Sequence, residues 1–256
     1  MIHSVGENTD FIGILSAFSP ENPFACRIIS LYNSYSPHLA FVDYWLISDE
    51  NGNITGAAAR NGSSFLLFLT DSTDLDEVSS FLRVSGAASI LCDGKYKLNF
   101  SSVRTSEGVI LSRNTLFVPI DNSLCIVQPD IRDAYYLIVR CADENFTPPA
   151  FEDFYVDVNH KLRHQTMRMY GIREKNRLVA VAMTVAESKD GAVLGALACD
   201  PDFRNRGYGS ALIKYISNLL ISENKTVFLH RAQNANVSFY HKLGFTQSGE
   251  WQEYYF

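Results

Sequence analysis

The same order of secondary-structure elements can be predicted twice along this chain, once in each half. In the second half, apolar runs at Met169–Ile172 and Leu178–Ala186 flank a polar turn and predict a β-hairpin. Ala192–Cys199 predicts a third strand, a helix is predicted to begin near Gly207, and Thr226–Leu229 predicts the strand after it. Strands and helices in this order predict an α+β fold, with a sheet flanked by helices.

The first half repeats this order without repeating the residues. We interpret the repeat as an old duplication, although coincidence is the alternative because strand-turn-strand patterns are common in α+β domains. The elements predicted in the first half are strands at Tyr44–Ile47, Ile54–Ala59 and Phe65–Leu69, a short helix at Leu75–Leu82 and a last strand at Ala88–Cys92.

The boundary between the two predicted units lies within Asp121–Asp130, where polar pairs bracket a short apolar segment. We place the first unit at residues 1–128 and the second at residues 129–256. The second unit is predicted to open with a strand at Ala134–Val139 and to continue with a helical or irregular segment at Phe151–His164.

Charge and cysteine content exclude several function classes. The formal net charge is -6, from 22 basic and 28 acidic residues, so we expect neither nucleic acid nor an anionic membrane as a main partner. The five cysteines form no Cys-x-x-Cys pair, so neither a zinc site nor a disulfide framework is indicated. Without a recognisable signal peptide or membrane-spanning run, we expect a soluble protein of the reducing cytoplasm.

The segment Arg204-Asn205-Arg206-Gly207-Tyr208-Gly209-Ser210 joins a predicted strand to a predicted helix and is a candidate phosphate-binding loop. A helix N-terminus presents unpaired N–H groups and partial positive charge to an anion. Two glycines let the backbone approach a phosphate, and two arginines add charged donors. The spacing matches neither a P-loop nor a dinucleotide fingerprint, and a glycine-bearing helix start in a surface loop is the alternative.

The corresponding segment of the first half, Thr70–Glu77, has no glycine and contains four carboxylates. A pyrophosphate placed there would face like charges. We therefore predict that only the second half binds a nucleotide.

Three segments of the second half resemble the GNAT acyltransferase superfamily. Arg204–Gly209 resembles its Arg/Gln-x-x-Gly-x-Gly/Ala signature, Asp200–Phe203 resembles the lead-in to that signature, and Phe239–Phe245 resembles its Phe/Leu-Tyr-x-x-x-Gly-Phe segment. The resemblance covers about Ile131–Phe256 and implies two GNAT-like units, each a twisted, mixed, mostly antiparallel sheet flanked by helices. The first unit would then be a degenerate copy, as in tandem members that keep one working site.

The resemblance implies acetyl-coenzyme A as the cofactor and an acyltransferase activity. It places the pyrophosphate on the loop at residues 204–210, and the pantetheine arm between the strands that end at Cys199 and near His230. The residues that it assigns to the cofactor are Leu197, Ala198, Cys199, Arg204, Asn205, Arg206, Gly207, Tyr208, Gly209, Ser210, Asn234 and Tyr240.

The resemblance implies one catalytic acid, and two residues at the ends of neighbouring strands are candidate bases by position. Tyr240 resembles the family tyrosine that protonates the leaving sulfur, and a phenol holds its proton at neutral pH. The strand Ala192–Cys199 lacks the glutamate that many members carry, which is a departure from the family pattern. Glu187 and His230 are the alternative bases, although each can also be a structural residue.

The acceptor predicted from these features is a primary amine on a small molecule, including amino acids. Arg163 and His164 lie where the family places its substrate-shaping helix and loop, so Arg163 is a candidate ligand for a substrate carboxylate. Two other functions stay open: an acyl-coenzyme A sensor without activity, and an acetyltransferase for a protein N-terminus or lysine. Monomer and homodimer are both compatible with the sequence.

Overall fold

The computed structural model describes residues 1–6, 9–18, 21–101, 103–118, 124–142 and 147–256. The strands in these residues are β1 (Ile2–Ser4), β2 (Val42–Ser48), β3 (Ile54–Asn61), β4 (Ser64–Leu69), β5 (Ser89–Asp93), β6 (Arg104–Arg113), β7 (Ile126–Val127), β8 (Met169–Glu174), β9 (Arg177–Glu187), β10 (Gly191–Cys199), β11 (Thr226–Ala232) and β12 (Thr246–Tyr255). The helices are α1 (Phe11–Ser16), α2 (Pro23–Ser34), α3 (Leu75–Val84), α4 (Ile131–Arg140), α5 (Phe151–Arg163), α6 (Tyr208–Ser222) and α7 (Val237–Lys242).

These strands form one sheet, in the order β1-β2-β3-β4-β5-β12-β6-β11-β10-β9-β8-β7. The pairs β4–β5 and β10–β11 are parallel, and the other neighbours are antiparallel. The order is symmetric about the β12–β6 pair, with β1 to β5 on one side and β7 to β11 on the other. The last strand of each half therefore completes the sheet of the other half, β12 beside β5 and β6 beside β11.

Helices cover both faces of the sheet. Phe228 of β11 packs in the core with α1 and α2, whereas Val227 and Leu229 pack with α6. Because successive strand residues point to opposite faces, α2 and α6 lie on opposite faces. Helix α2 contacts β3 and β4 of the first half and β9 and β10 of the second, so it bridges the two halves. None of the described helices combines the length and apolarity needed to cross a bilayer.

The predicted α+β fold class is confirmed, with a mixed, mostly antiparallel sheet between helices. The strand predicted at Ala134–Val139 is wrong, because these residues lie in α4. Ala134, Leu137 and Ile138 are buried at helical spacing, and the Asp130 side chain caps the helix through the N–H of Arg132 at 2.8 Å.

The segment predicted as helical or irregular after α4 forms α5. The first residues of the predicted boundary, 121–123, lie outside the described residues. The division into residues 1–128 and 129–256 stays a prediction.

Candidate functional site

The parallel strands β10 and β11 pair only along part of their length. Their register extends as far as Leu194 opposite Leu229. Past this point the pairing of β10 with β9 shifts between Gly195 and Ala198, and Ala196 has a φ of 48°. A bulge bends the strand that contains it. The ends of β10 and β11 are therefore not paired with each other, and backbone groups of β10 face a gap between the strands.

A cavity of about 280 Å³ occupies this gap, and we call it the strand-gap cavity. Tyr240 and His230, the predicted acid and one predicted base, both line it. Leu197 and Ala198, predicted contacts of the pantetheine arm, line it from β10. The other lining residues are Ile138, Cys141, Leu194, Gly195, Ala196, Ile213, Leu229, Arg231, Ala232, Ala235, Asn236 and Trp251.

The end of β10 leads through a short 3-10 turn into the start of α6. Gly207 precedes this helix with a φ of 84°, a left-handed conformation that favours glycine, and no side chain of the described residues caps the helix. The first intrahelical bond runs from the N–H of Ala211 to the Gly207 carbonyl, at 2.9 Å. The N–H groups of Tyr208, Gly209 and Ser210 precede that bond, so they have no partner within the helix.

The corresponding helix of the first half has no such free start. The Asp74 carboxylate accepts hydrogen bonds from the N–H groups of Asp76, at 3.0 Å, and Glu77, at 2.9 Å. These N–H groups are the ones that an anion would need. The geometry supports the prediction that only the second half binds a nucleotide.

The two loop arginines brace the backbone of the loop. Arg204 donates from Nε to the Cys199 carbonyl at 3.2 Å, and Arg206 donates from Nη2 to the Asp202 carbonyl at 3.2 Å. The Arg206 guanidinium also lies 4.9 Å from the centre of the Phe203 ring. Both arginines are exposed. Their bonds to the loop backbone keep their positive charge near the start of α6.

Asp200 anchors this loop to its surroundings. Its side chain is only 2% exposed and accepts hydrogen bonds from the N–H of Asp202 at 3.1 Å and from Arg177 at 2.5 Å. Arg140 of α4 lies 3.3 Å away. Burial acts to raise the pKa of Asp200, but the Asp202 N–H and the two guanidinium groups outweigh it and hold the pKa below its ordinary value. The ionised carboxylate therefore ties the loop to α4 and β9.

Tyr240 lies on α7, half-buried in the wall of the strand-gap cavity. Burial raises the pKa of Tyr240 to about 12. Its hydroxyl forms no hydrogen bond with a described residue. The phenol is thus protonated at neutral pH and free to donate.

His230 lies on β11, between two aromatic rings. Its ring centre is 5.5 Å from that of Phe24 and 6.2 Å from that of Trp251, which is nearly parallel to it at 10°. Its Nε2 atom is buried and has no hydrogen-bond partner among the described residues. Burial, with a smaller effect of Arg27, lowers the pKa of His230 well below 6.5, so the ring is neutral at pH 7.

The lowered pKa of His230 predicts a loss of stability in acid. Below about pH 6.5 the unfolded chain takes up a proton that the folded ring resists, so stability falls as the pH falls, by up to about 1.4 kcal/mol per pH unit. We expect urea denaturation at pH 5 and pH 7 to show a smaller difference for His230→Gln than for the wild type. The exposed His38 provides a control, since His38→Gln should keep the wild-type difference. Equal differences for all three proteins would contradict the prediction.

The other predicted base, Glu187, lies away from this cavity. It is buried and pairs with Ala192, near the start of β10, whereas the cavity lies beside the irregularity between Gly195 and Ala198. Its carboxylate accepts from Thr184 at 2.7 Å and forms ion pairs with Arg168 at 3.0 Å and Lys225 at 2.8 Å. These contacts make Glu187 part of a structural ion-pair cluster.

Three further predicted site residues are exposed and do not line the strand-gap cavity: Arg163 and His164 at the end of α5, and Asn234 before α7. The amide that does line it is Asn236, which precedes α7 with a φ of 53°. Trp251 also lines the cavity. The motifs did not assign it, because its position at the cavity depends on β12 lying next to β6.

The C-terminal third of the chain is similar to a known protein family. Residues 169–256 match the model of the family described as FR47-like protein. No curated protein is significantly similar in sequence.

Solved structures with the same fold cover nearly the whole chain. A tandem GNAT protein from the clavulanic acid biosynthesis pathway is 13% identical, with a TM-score of 0.57, over 99% of this chain and 97% of its own. A GCN5-related N-acetyltransferase from Sphaerobacter thermophilus is 11% identical, with a TM-score of 0.60, over 99% and 94%. A GNAT-family acetyltransferase from Colwellia psychrerythraea is 12% identical, with a TM-score of 0.55, over 100% and 99%. The chain therefore has the fold of these GNAT-family proteins, and its residues 169–256 are similar to the FR47-like protein family.

Proposed function

We propose that this protein transfers the acetyl group of acetyl-coenzyme A to the primary amine of a small molecule. The observation that carries the proposal is the strand-gap cavity, where a free phenol and unpaired strand backbone lie at the end of β10 that leads into the uncapped start of α6. An uncapped helix start suits a pyrophosphate, and a gap between two strands suits an extended arm. The five cysteines are unpaired, which supports a reducing cytoplasmic setting.

The described residues fit coenzyme A in two places. The N–H groups of Tyr208, Gly209 and Ser210, with the nearby charge of Arg204 and Arg206, would hold the pyrophosphate. The backbone of β10 from residue 195 to residue 198 would hold the pantetheine arm. Acetyl-coenzyme A, when bound, supplies a thioester whose acetyl group an amine can accept.

Two side chains would manage the protons of this transfer. As the new C–N bond forms and the C–S bond breaks, the hydroxyl of Tyr240 would give its proton to the sulfur. The neutral ring of His230 would accept a hydrogen bond from the incoming amine, whose proton then passes to solvent. We assign this role to His230 and not to Glu187, because only His230 lines the cavity. Tyr240 would regain a proton from solvent before the next turnover.

An acyl-coenzyme A sensor is the second candidate function. No carboxylate of the described residues lines the strand-gap cavity, and the lowered pKa of His230 makes its ring a weak base. Such a protein would bind the cofactor without transferring its acyl group.

A screen for thiol release separates these two functions. The purified protein would be mixed with acetyl-coenzyme A and a panel of small primary amines, with each product identified by mass spectrometry. We expect at least one amine to increase thiol release more than roughly tenfold over hydrolysis and to appear as its N-acetyl derivative. Binding of acetyl-coenzyme A without release for any amine would favour the sensor, and an absence of binding would exclude both functions.

A further inference from the structure

A second cavity lies between the two halves of the chain, and its walls come from both. It has a volume of about 240 Å³, and we call it the inter-half cavity. Arg27 of α2 lines it from the first half, while Lys161 of α5 and Glu253 of β12 line it from the second. Exposed Asn61 and Ser64, at the turn between β3 and β4, also line it and give access to solvent.

Arg27 is the cation in these walls that lacks a hydrogen-bond or ion-pair partner among the described residues. Its side chain is mostly buried, yet it forms no hydrogen bond or ion pair with any residue that the structure describes. Burial lowers the pKa of this guanidinium below its ordinary value, and the charges of Cys26 and Glu253 oppose that effect. A buried cation without a partner is costly. An anion in the cavity would remove that cost.

The neighbouring charges leave Arg27 as the cation available to a ligand. Lys161 is already paired with Asp157, at 2.8 Å. Glu253 lies in the same wall but forms no ion pair with the guanidinium in the described structure. An acidic group in the cavity could therefore pair with Arg27, and a basic group could pair with Glu253.

The inter-half cavity adjoins the strand-gap cavity. Phe24, one helical turn before Arg27, packs against His230, with ring centres 5.5 Å apart. Trp251 lies two residues before Glu253 on β12, so both side chains point to the same face of the sheet. His230 and Trp251 line the strand-gap cavity. Arg27 therefore lies one helical turn from a ring that packs against His230, and Glu253 lies two residues from Trp251, so both charged groups are close to the wall of the strand-gap cavity.

We propose that the inter-half cavity binds the acceptor, and that the acceptor is a primary amine carrying a carboxylate, held by the guanidinium of Arg27. This inference rests on the proposed acetyl transfer and names its substrate class. A guanidinium suits a carboxylate because its two N–H groups can bind both oxygens. The first half, in which side chains cap the starts of the described helices α1, α2 and α3, then contributes acceptor recognition.

A binding experiment tests this assignment without depending on turnover. Each standard amino acid, with β-alanine and 4-aminobutyrate, is paired with its amide, which keeps the amine and removes the acid. Dissociation constants are measured with and without saturating coenzyme A for the wild type, Arg27→Met and Arg27→Lys. Arg83→Met is the control, since Arg83 is exposed on α3, away from both cavities.

We expect at least one amino acid to bind the wild type about 10- to 100-fold more tightly than its amide, the range expected for a charge-assisted hydrogen-bonded pair. Arg27→Met should lose this preference, Arg27→Lys should keep part of it, and Arg83→Met should keep all of it. The affinity for coenzyme A should not change. The melting temperature of Arg27→Met without ligand should equal or exceed that of the wild type, because a costly unpaired charge is removed.

Three results would overturn the assignment: no amino acid binds the wild type, the preference over amides survives in Arg27→Met, or Arg27→Met melts below the wild type, which would give Arg27 a structural role. Failure of the proposed function is seen separately. If coenzyme A does not bind the wild type, acetyl transfer is excluded, while the amino acid titrations without coenzyme A still report on Arg27.

Discussion

Replacing Gly207 with glutamate should weaken the binding of acetyl-coenzyme A by at least about 100-fold, or roughly 3 kcal/mol. A side chain at this position would extend into open space, because no atom lies within 4 Å of an added Cβ. Its carboxylate would compete for the N–H groups at the start of α6 and repel a pyrophosphate. A carboxylate at a helix start also favours the helix, which offsets the cost of about 1 kcal/mol for a non-glycine residue with positive φ.

Gly52 provides a closely matched control for this substitution. It has a φ of 83°, against 84° for Gly207, and an added Cβ would also meet no atom within 4 Å. It lies in the turn between β2 and β3. Gly52→Glu should bind acetyl-coenzyme A as the wild type does, in isothermal titration calorimetry. Similar affinities for the two variants would show that the loop does not hold the pyrophosphate.

Tyr240→Phe should lower kcat by about 100-fold while leaving the dissociation constant of acetyl-coenzyme A within a factor of two. The substitution removes only the hydroxyl, and the ring keeps its packing against Phe239 and Phe245, at centre distances of 4.9 and 6.2 Å. Because the pKa of Tyr240 is raised to about 12, wild-type activity should not decline near neutral pH through loss of this proton.

The measurement is a steady-state rate with the acceptor found in the amine screen. Tyr215→Phe serves as the control. Tyr215 lies on α6, packs against Tyr170 of β8 and lines neither cavity. An unchanged kcat in Tyr240→Phe would remove Tyr240 from the chemistry. A large increase in the dissociation constant would make it a binding residue.

Local patterns predicted most of the strands and the start of α6. The hairpin of β8 and β9 and the glycine-bearing loop before α6 carry their signals within a few residues. The segment Ala134–Val139 was mispredicted because aromatic and β-branched residues favour strands, while its buried positions follow a helical period. The deciding interaction there is packing against β9 and β10, which a short window does not contain.

Local sequence patterns could not predict that β6 pairs with β11 of the second half and β12 with β5 of the first half. Each strand pairs with a partner from the other half, and such pairing depends on the assembled sheet. The same holds for the site. Tyr240 and His230 were predictable from motif order, whereas Arg27 is distinguished only because α2 brings it to the second half without a partner.

The most direct test of the account is the stoichiometry of coenzyme A binding, measured by titration calorimetry on the full chain. We predict one molecule per chain, because the start of α6 is uncapped while the Asp74 carboxylate occupies the start of α3. The heat of coenzyme A binding should not be detectable for Gly207→Glu. Two sites per chain would contradict the assignment of a single working half. No binding to the wild type would contradict the cofactor site itself, and with it the proposed acetyl transfer.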